Sequence, residues 1–360
     1  MVADVALILV GTGFAVALAL TGVILRAPEA LKIYAHPNVR SFHRQPTLTA
    51  GGLTFVLPLA GYLIWLALQG APEAVAIGVG GALLALIGLL DDMREVSARI
   101  RLLAHLMVAG GVAWCVLDEP SPWVIAPVAL GLAWHVNLYN FMDGIDGLAA
   151  SQALVFAVGA HVAGSGLPGW PGDVLWLAAG SVLAFLVVNW PPARLFMGDV
   201  GSYFLGLLTG AVAILLWQQQ TLALAVSLVL LTGFWFDATY TLIVRVFTGQ
   251  AFTQPHKTHV YQKIAAKRGH LWTTVCYWSY GVLWLLPLSW LCARQSDAHS
   301  LSGYLWLLPA VAPMAVAAVW LGAGMPDSRS GDRSHNASDR SHHASGGSHN
   351  VSDRSHGGPG

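Results

Sequence analysis

The chain has 360 residues, and its 18 basic and 18 acidic side chains give a formal net charge of zero. Hydrophobic residues make up 56% of it and charged residues only 10%, whereas soluble domains average about 25% charged residues. This composition excludes a soluble globular protein, because so few charged side chains cannot cover a water-facing surface of that size. Nothing in the charge balance indicates a nucleic acid as partner, and we expect none.

Apolar stretches long enough to cross the ~30 Å hydrocarbon core of a bilayer recur along the chain. Hydropathy therefore predicts an all-α integral membrane protein with about eleven transmembrane helices, that is ten or eleven. The predicted spans are 3–25, 52–69, 73–90, 102–117, 121–139, 147–164, 172–189, 201–217, 220–240, 271–292 and 302–323.

Basic residues concentrate in alternate predicted loops, whereas the loops between them are acidic or neutral, as at Asp118-Glu119-Pro120, with Arg294 as their one basic residue. By the positive-inside rule the basic loops are cytoplasmic, so the N-terminus is predicted outside and the C-terminus inside. The basic loop residues are Lys32, Arg40, Arg44, Arg94, Arg99, Arg101, Arg194, Arg245, Lys257, Lys263, Lys267 and Arg268.

Residues 325–360 differ in composition from the membrane domain predicted at 1–324. The sequence Asp-Arg-Ser-His recurs at 332–335, 339–342 and 353–356, and large apolar residues are almost absent. A segment of this kind cannot offset its ordering entropy by burial. We predict a disordered Ser/His-rich tail on the cytoplasmic side.

Aspartates stand at the predicted cytoplasmic ends of several spans, namely Asp91, Asp92, Asp143, Asp146 and Asp199. Acidic residues at membrane depth are costly and mark function. Carboxylates that converge in one cleft repel each other unless some are protonated or a cation neutralises them. Oxygen ligands suit Mg²⁺ or Mn²⁺, and Mg²⁺ typically uses one or two carboxylates together with substrate phosphates. The aspartates therefore predict a divalent-cation site that acts on a phosphorylated substrate.

Basic side chains complement these carboxylates. Arg99 and Arg101 follow the aspartate pair by about two helical turns, and guanidinium groups recognise phosphate oxygens bidentately. His256 and His259 lie on either side of Lys257 in a predicted cytoplasmic loop. The two histidines and the lysine together predict that this loop is a second anion-binding element.

Residues 137–147 read Asn-Leu-Tyr-Asn-Phe-Met-Asp-Gly-Ile-Asp-Gly, and further motifs follow the same order as in one enzyme family. These motifs lie at 37–43, 89–101, 189–193, 196–202, 237–242 and 256–262. Together they resemble the polyprenyl-phosphate N-acetylhexosamine-1-phosphate transferase superfamily, glycosyl transferase family 4. The chain departs from the family pattern at Arg99, where many relatives carry Lys, and at Leu48-Thr49-Ala50, where relatives carry Pro-Arg-Gly.

The resemblance implies a reaction and a location. It is closest to the branch that initiates O-antigen synthesis, in which N-acetylhexosamine-1-phosphate passes from a UDP-sugar to undecaprenyl phosphate and UMP leaves. The implied donor is UDP-GlcNAc or a 6-deoxy relative, and the product starts a lipid-linked surface glycan of the lipopolysaccharide. The enzyme would lie in the bacterial inner membrane with a periplasmic N-terminus, and a homodimer is common among relatives.

The resemblance also implies roles for residues of this chain, with Mg²⁺ or Mn²⁺ as cofactor. Asp199 is the expected metal ligand, with Asn189 near the same cluster. Whether the lipid phosphate attacks directly or through a covalent intermediate stays open. The expected catalytic residues are Asp91, Asp92, Asp199, His256 and His259. The expected nucleotide-sugar-binding residues are Asn137, Asn140, Asp143 and Asp146, and the expected phosphate-binding residues are Arg99 and Arg101.

Three other functions are consistent with parts of the sequence. The peptidoglycan branch, which transfers phospho-N-acetylmuramoyl-pentapeptide, shares the motifs. A polytopic transporter would also carry buried charges, although transporters place their sites near the midplane of the membrane. An alcohol phosphatidyltransferase uses Asp-Gly motifs with Mg²⁺, but the histidine loop argues against it.

Overall fold

The computed structural model describes residues 2–26, 33–35, 47–118, 121–251 and 256–326. The predicted first-loop motif at 37–43 and all but the first two residues of the predicted tail lie outside these ranges. The described residues form an all-α protein with one short antiparallel strand pair, β1 (Tyr34–Ala35) and β2 (Thr47–Leu48), in which Tyr34 pairs with Leu48.

The helices follow the predicted apolar segments closely. In chain order they are α1 Val2–Arg26, α2 Leu53–Leu68, α3 Pro72–Arg94, α4 Ala98–Val116, α5 Pro122–Met142, α6 Leu148–Ala163, α7 Trp170–Asn189, α8 Gly198–Gln218, α9 Leu224–Leu230, α10 Thr232–Phe247, α11 Val260–Arg268, α12 His270–Ser279, α13 Leu286–Gln295 and α14 Leu307–Leu321. A π-helical turn, Tyr280–Leu285, makes α12 and α13 one continuous rod, and a 3₁₀ turn, Leu301–Trp306, leads into α14.

Within the described ranges, eight helices are long and apolar enough to cross a membrane. The pair α9 and α10, bent by 76° at Leu231, makes nine if it counts as one span, and α2 and α6 are shorter apolar helices. The predicted all-α membrane fold is confirmed, and each predicted span overlaps a helix or this bent pair. The predicted total of about eleven spans is not confirmed, because α2 and α6 fall below spanning length.

Helix α8 is the centre of the bundle, and almost all of its residues are buried. Its neighbours approach it through glycines. A Cβ on Gly88 of α3 would lie 2.4 Å from the backbone carbonyl of Asp199, and one on Gly206 of α8 would lie 2.9 Å from Cα of Val136 in α5. Small residues at such contacts let membrane helices pack backbone against backbone. This packing fixes the start of α8 against the end of α3.

Large apolar side chains cover the outside of the bundle. Trp123, Phe247 and Trp320 are each more than four-fifths exposed, as is Leu301. A soluble protein would not leave so much apolar surface in water. The chain is therefore an integral membrane protein whose outer surface faces lipid.

Four helix ends meet at one end of the bundle: the last turns of α3 and α5 and the first turns of α4 and α8. The short strand β2 and the residues after it join this end, because Phe196 N–H donates to the Leu48 carbonyl and Gly51 N–H donates to the Phe196 carbonyl, both at 2.9 Å. The polar motifs of the sequence are thus brought to one side of the membrane domain.

Candidate active site

Arg101 joins two of the predicted aspartates. Asp91, in the last turn of α3, accepts a hydrogen bond from Val96 N–H at 2.6 Å and forms an ion pair with Arg101 at its other oxygen. The same guanidinium nitrogen lies 3.7 Å from Asp199 Oδ2. Arg101 therefore neutralises part of the charge of two carboxylates that belong to different helices.

Asp199, in the first turn of α8, is held by two further side chains. Asn140 donates to Asp199 Oδ1 at 2.7 Å, and Tyr203 donates to Oδ2 at 3.0 Å. Asn140 also donates to Ser202 Oγ at 3.0 Å. Both carboxylate oxygens thus have a fixed direction, which a catalytic or metal-binding group requires.

Asp92 faces the start of α8. Its Oδ1 accepts from Asp199 N–H at 3.3 Å, and its Oδ2 is buried without a hydrogen-bond partner. A Cβ on Gly198, whose φ is +73°, would lie 2.4 Å from that Oδ2 and 2.6 Å from Thr49 Oγ1. A buried carboxylate oxygen with no donor is costly unless a cation or a proton satisfies it. Asp92 and Asp199 are the aspartates best suited to hold a hard cation.

Asp143 and Asp146 follow α5 and differ in their electrostatics. Burial, together with the negative charges of Asp92 and Asp146, raises the pKa of Asp143 to about 7. Burial would also raise the pKa of Asp146, but bonds from His270 and from Ala193 N–H outweigh it and hold that pKa below its usual value. Those bonds are 3.1 Å from His270 Nδ1 and 3.0 Å from the amide. Asp146 is thus an ionised anchor, whereas Asp143 titrates near neutral pH.

The two histidines lie side by side before α11. The ring centroids of His256 and His259 are 4.9 Å apart, and Thr258 Oγ1 lies 3.0 Å from His256 Nδ1. Tyr261 connects this loop to the aspartate loop, because its hydroxyl donates to the Phe141 carbonyl at 2.9 Å. The histidine pair therefore borders the loop that carries Asp143.

Asn137, Asn189 and Arg99 are not among the residues that bond to Asp91, Asp92 or Asp199. Asn137 bonds to the Ala133 carbonyl at 2.7 Å and to His105 Nδ1 at 3.0 Å. Asn189 is 4% exposed, accepts from Gly147 N–H and donates to the Leu195 carbonyl, so both ends of its amide hold loop backbone. Arg99 is exposed on the first turn of α4.

Two residues of the site carried no predicted role. Tyr203 bonds to Asp199, and the ring of His105 packs edge-on against Tyr203 with centroids 4.6 Å apart. Tyr203 follows Asp199 by four residues and His105 follows Arg101 by four, so each pair shares one helical face. The i, i+4 spacing from a predicted site residue is the sequence signal that could have identified them.

The chain is similar to several known proteins. The family model described as Glycosyl transferase family 4 matches residues 74–217, which contain Asp91, Asp92, Asn140 and Asp199. A probable undecaprenyl-phosphate N-acetylglucosaminyl 1-phosphate transferase of Bacillus subtilis is 28% identical, covering 69% of this chain and 74% of the relative.

Two further relatives carry related names. A decaprenyl-phosphate N-acetylglucosaminephosphotransferase of Mycobacterium leprae is 30% identical over 68% of this chain and 73% of its own length. A phospho-N-acetylmuramoyl-pentapeptide-transferase of Nostoc punctiforme is 33% identical over 56% of this chain and 60% of its own length. The chain belongs to the polyprenyl-phosphate hexosamine-1-phosphate transferases of glycosyl transferase family 4, multi-pass membrane enzymes that transfer a sugar phosphate to a polyprenyl phosphate.

Proposed function

We propose that this enzyme transfers N-acetylhexosamine-1-phosphate from a UDP-sugar to undecaprenyl phosphate at the cytoplasmic face of a bacterial inner membrane, with UMP as the leaving group. The sugar is GlcNAc or a 6-deoxy relative, and the lipid-linked product initiates a surface glycan such as O-antigen. The observation that carries this proposal is the convergence of Asp91, Asp92 and Asp199 around Arg101 and Asn140 at one end of the bundle.

A divalent cation fits this cluster, and we propose Mg²⁺. The donors are carboxylate oxygens, and Asp92 Oδ2 is buried without a partner. No three His, Cys, Asp or Glu side chains group as a metal cluster among the residues that the structure describes. Mg²⁺ typically binds through one or two carboxylates and completes its shell with water and substrate phosphates. Asp199 and Asp92 would hold it, and it would neutralise the pyrophosphate oxygens of the donor.

The side chains of the cluster position two anions for reaction. A phosphomonoester has a second pKa near ~6, so undecaprenyl phosphate is largely dianionic at pH 7 and needs no base to attack phosphorus. Asp91, already paired with Arg101, then acts in positioning rather than in proton removal. Arg101 lowers the negative charge that the incoming phosphates meet, which is the main requirement for transfer between two anions.

The nucleotide-sugar side of the site lies between the aspartate loop and the histidine loop. Burial raises the pKa of Asp143 to about 7, and Tyr261, which follows the histidines, contacts the loop that carries Asp143 through its bond to the Phe141 carbonyl. Neutral Asp143 donates a hydrogen bond, and ionised Asp143 accepts one from a sugar or uracil group. The histidines supply donors for phosphate or sugar oxygens.

The cytoplasmic location rests on the distribution of basic residues. Arg94, Arg99, Arg194 and Lys257 stand near the helix ends that form the site. By the positive-inside rule, that end of a membrane bundle faces the cytoplasm. UDP-sugars are soluble nucleotides, so a site on this side meets its donor directly.

Exchange of labelled UMP into a UDP-sugar tests the reaction. Purified protein in detergent, with Mg²⁺ and undecaprenyl phosphate, should exchange UMP with UDP-GlcNAc or a 6-deoxy UDP-N-acetylhexosamine. Asp199→Asn should abolish this exchange, whereas Asp173→Asn should retain it. Asp173 lies in the first turn of α7, about 24 Å along that helix from Asn189 at 1.5 Å per residue.

The outcome also separates the two branches of the family. Exchange with UDP-N-acetylmuramoyl-pentapeptide and with no other donor would replace the proposed substrate by that of the Nostoc relative. Near-normal exchange by Asp199→Asn would remove Asp199 from the site.

A further inference from the structure

Asp237, in α10 just after the 76° bend, is a carboxylate with no exposed surface. Its Oδ1 accepts from Val260 N–H at 2.8 Å and from Thr241 Oγ1 at 3.3 Å. Its Oδ2 accepts from Tyr277 OH at 2.6 Å and from Tyr261 N–H at 3.0 Å. A buried carboxylate with this many donors is fully satisfied, so it holds its surroundings in one arrangement.

The amides bound by Asp237 are the first two of helix α11. Free N–H groups at the start of a helix are a common site for phosphate. Here the backbone N–H groups of Val260 and Tyr261 already donate to the Asp237 carboxylate. These two N–H groups are therefore not open to an anion, and the side chains immediately before α11 include those of the two histidines and Lys257.

The same carboxylate faces His259. His259 Nδ1 lies 3.7 Å from Asp237 Oδ1, and His259 N–H donates to Gln262 Oε1 at 3.2 Å. Gln262 thus fixes the backbone of His259, whereas the 3.7 Å between Nδ1 and Oδ1 is a close approach of the ring to the carboxylate and not a hydrogen bond. Nδ1 of His259 is therefore on the Asp237 side of the ring, and the ring of His256 lies beside it at an interplanar angle of 36°.

Asp237 also connects the histidines to the aspartate loop. The backbone N–H of Tyr261 donates to Asp237, and the hydroxyl of the same residue donates a hydrogen bond to the Phe141 carbonyl at 2.9 Å. A Cβ on Gly144 would lie 2.1 Å from that hydroxyl, so the loop between Asp143 and Asp146 rests directly on Tyr261. A shift of α11 would therefore move the histidines and this loop together.

We infer that Asp237 is a positioning residue for the transferase reaction, which sets His259 and, through Tyr261, the Asp143 loop against the nucleotide-sugar. Asp237 does not touch substrate and acts only through these groups. The inference deepens the proposed function and rests on it.

Asp237→Asn is the direct test, because it keeps the shape but places an amide donor against the N–H groups of α11. We expect kcat/KM for the UDP-sugar to fall by about 10- to 100-fold, the range for lost bonds to a charged group. Tyr277→Phe, which removes one donor, should give a smaller loss of about three- to tenfold. The matched controls are Asp173→Asn and Tyr280→Phe, which removes a hydroxyl bond to the Ala310 carbonyl, and both should retain activity.

A double-mutant cycle separates positioning from general stability. Residues that act as one unit are not additive in their effects on catalysis. Asp237→Asn combined with His259→Ala should therefore lose no more than about threefold beyond His259→Ala alone. If the losses multiply instead, Asp237 acts independently of His259, and the inference is overturned.

Two further outcomes are decisive. If Asp237→Asn does not yield folded protein, the cycle is run with Tyr277→Phe in its place. The combination with His259→Ala should then lose no more than about threefold beyond His259→Ala alone, and multiplied losses would overturn the inference. If wild-type protein exchanges UMP with a UDP-N-acetylhexosamine while both Asp237→Asn and Tyr277→Phe match it, only the positioning role fails. A wild-type enzyme that exchanges with no such donor removes the proposed function, and the inference with it.

Discussion

Asn140 donates its side-chain amide to Asp199 Oδ1 at 2.7 Å, which ties the last turn of α5 to the first turn of α8. The two residues are 59 positions apart in the chain. This bond joins the predicted nucleotide-sugar motif to the predicted metal ligand. The two motifs therefore form one site, and a change at Asn140 should be felt at Asp199.

Asn140→Ala should lower kcat/KM by about 10- to 100-fold, because a bond to a charged acceptor contributes roughly 1.5–3 kcal/mol. Ser202→Ala is the matched control, since Asn140 also donates to Ser202 Oγ and that bond is between neutral groups. Ser202→Ala should lower kcat/KM by no more than about threefold. UMP-exchange kinetics on both variants measure the difference, and equal losses would show that the Asp199 bond has no special part.

The two predicted phosphate-binding arginines should differ strongly when each is replaced by Lys. Arg101 contacts Asp91 and Asp199, and a single ammonium group cannot reproduce that arrangement. Arg101→Lys should therefore lose more than about tenfold in kcat/KM, by the strength of charged hydrogen bonds. Arg99 is exposed, so Arg99→Lys should keep kcat/KM within about threefold of the wild-type value. It should change mainly how kcat/KM depends on salt concentration. Similar losses in both variants would contradict the assignment.

Hydropathy was sufficient to predict the membrane fold, because span length depends only on the thickness of the bilayer. It could not predict the bend at Leu231, where α9 and α10 meet at 76°. That bend depends on how the two helices pack, and the apolar sequence reads as one continuous segment.

The site was predictable where charge at membrane depth is costly. Asp91, Asp92 and Asp199 stood out for that reason, and the structure brings them together. The role predicted for Asn189 remains a prediction. An amide beside acidic motifs reads as a ligand, but here the backbone of Gly147 and Leu195 takes up both ends of it. Only the path of the chain between α7 and α8 decides between the two uses.

The rate of exchange should depend on pH through Asp143, whose pKa is raised to about 7. At limiting Mg²⁺ the rate should change across pH 6–8 with an apparent pKa near that value, and Asp143→Asn should remove this step. Asp146→Asn should move the step to lower pH, since it removes one of the negative charges that raise the pKa of Asp143. A step that keeps its position in Asp146→Asn would contradict the assignment.

The same group should affect the stability of the metal-free protein. A carboxyl whose pKa is higher in the folded than in the unfolded state stabilises the fold at low pH, and this contribution is lost as pH rises through the folded value. Wild-type protein should therefore lose thermal stability relative to Asp143→Asn as the pH rises from about 4, where the unfolded carboxyl ionises, to about 7, and the difference should level off above pH 7. Thermal unfolding in detergent with a chelator measures it. If the unfolding temperatures of wild type and Asp143→Asn followed parallel curves against pH, Asp143 would not titrate in this range.

Gly88→Ala should inactivate the enzyme without touching any side chain of the site. The added Cβ would lie 2.4 Å from the backbone carbonyl of Asp199, so the start of α8 must move. Displacing a reacting group by about 1 Å can cost on the order of 100-fold in rate. Gly110→Ala, in α4, is the control, because a Cβ there meets nothing within 4 Å. Purified Gly88→Ala should lose exchange while Gly110→Ala retains it. If Gly88→Ala kept full activity, the close contact of α3 with α8 would not be what holds Asp199 in place.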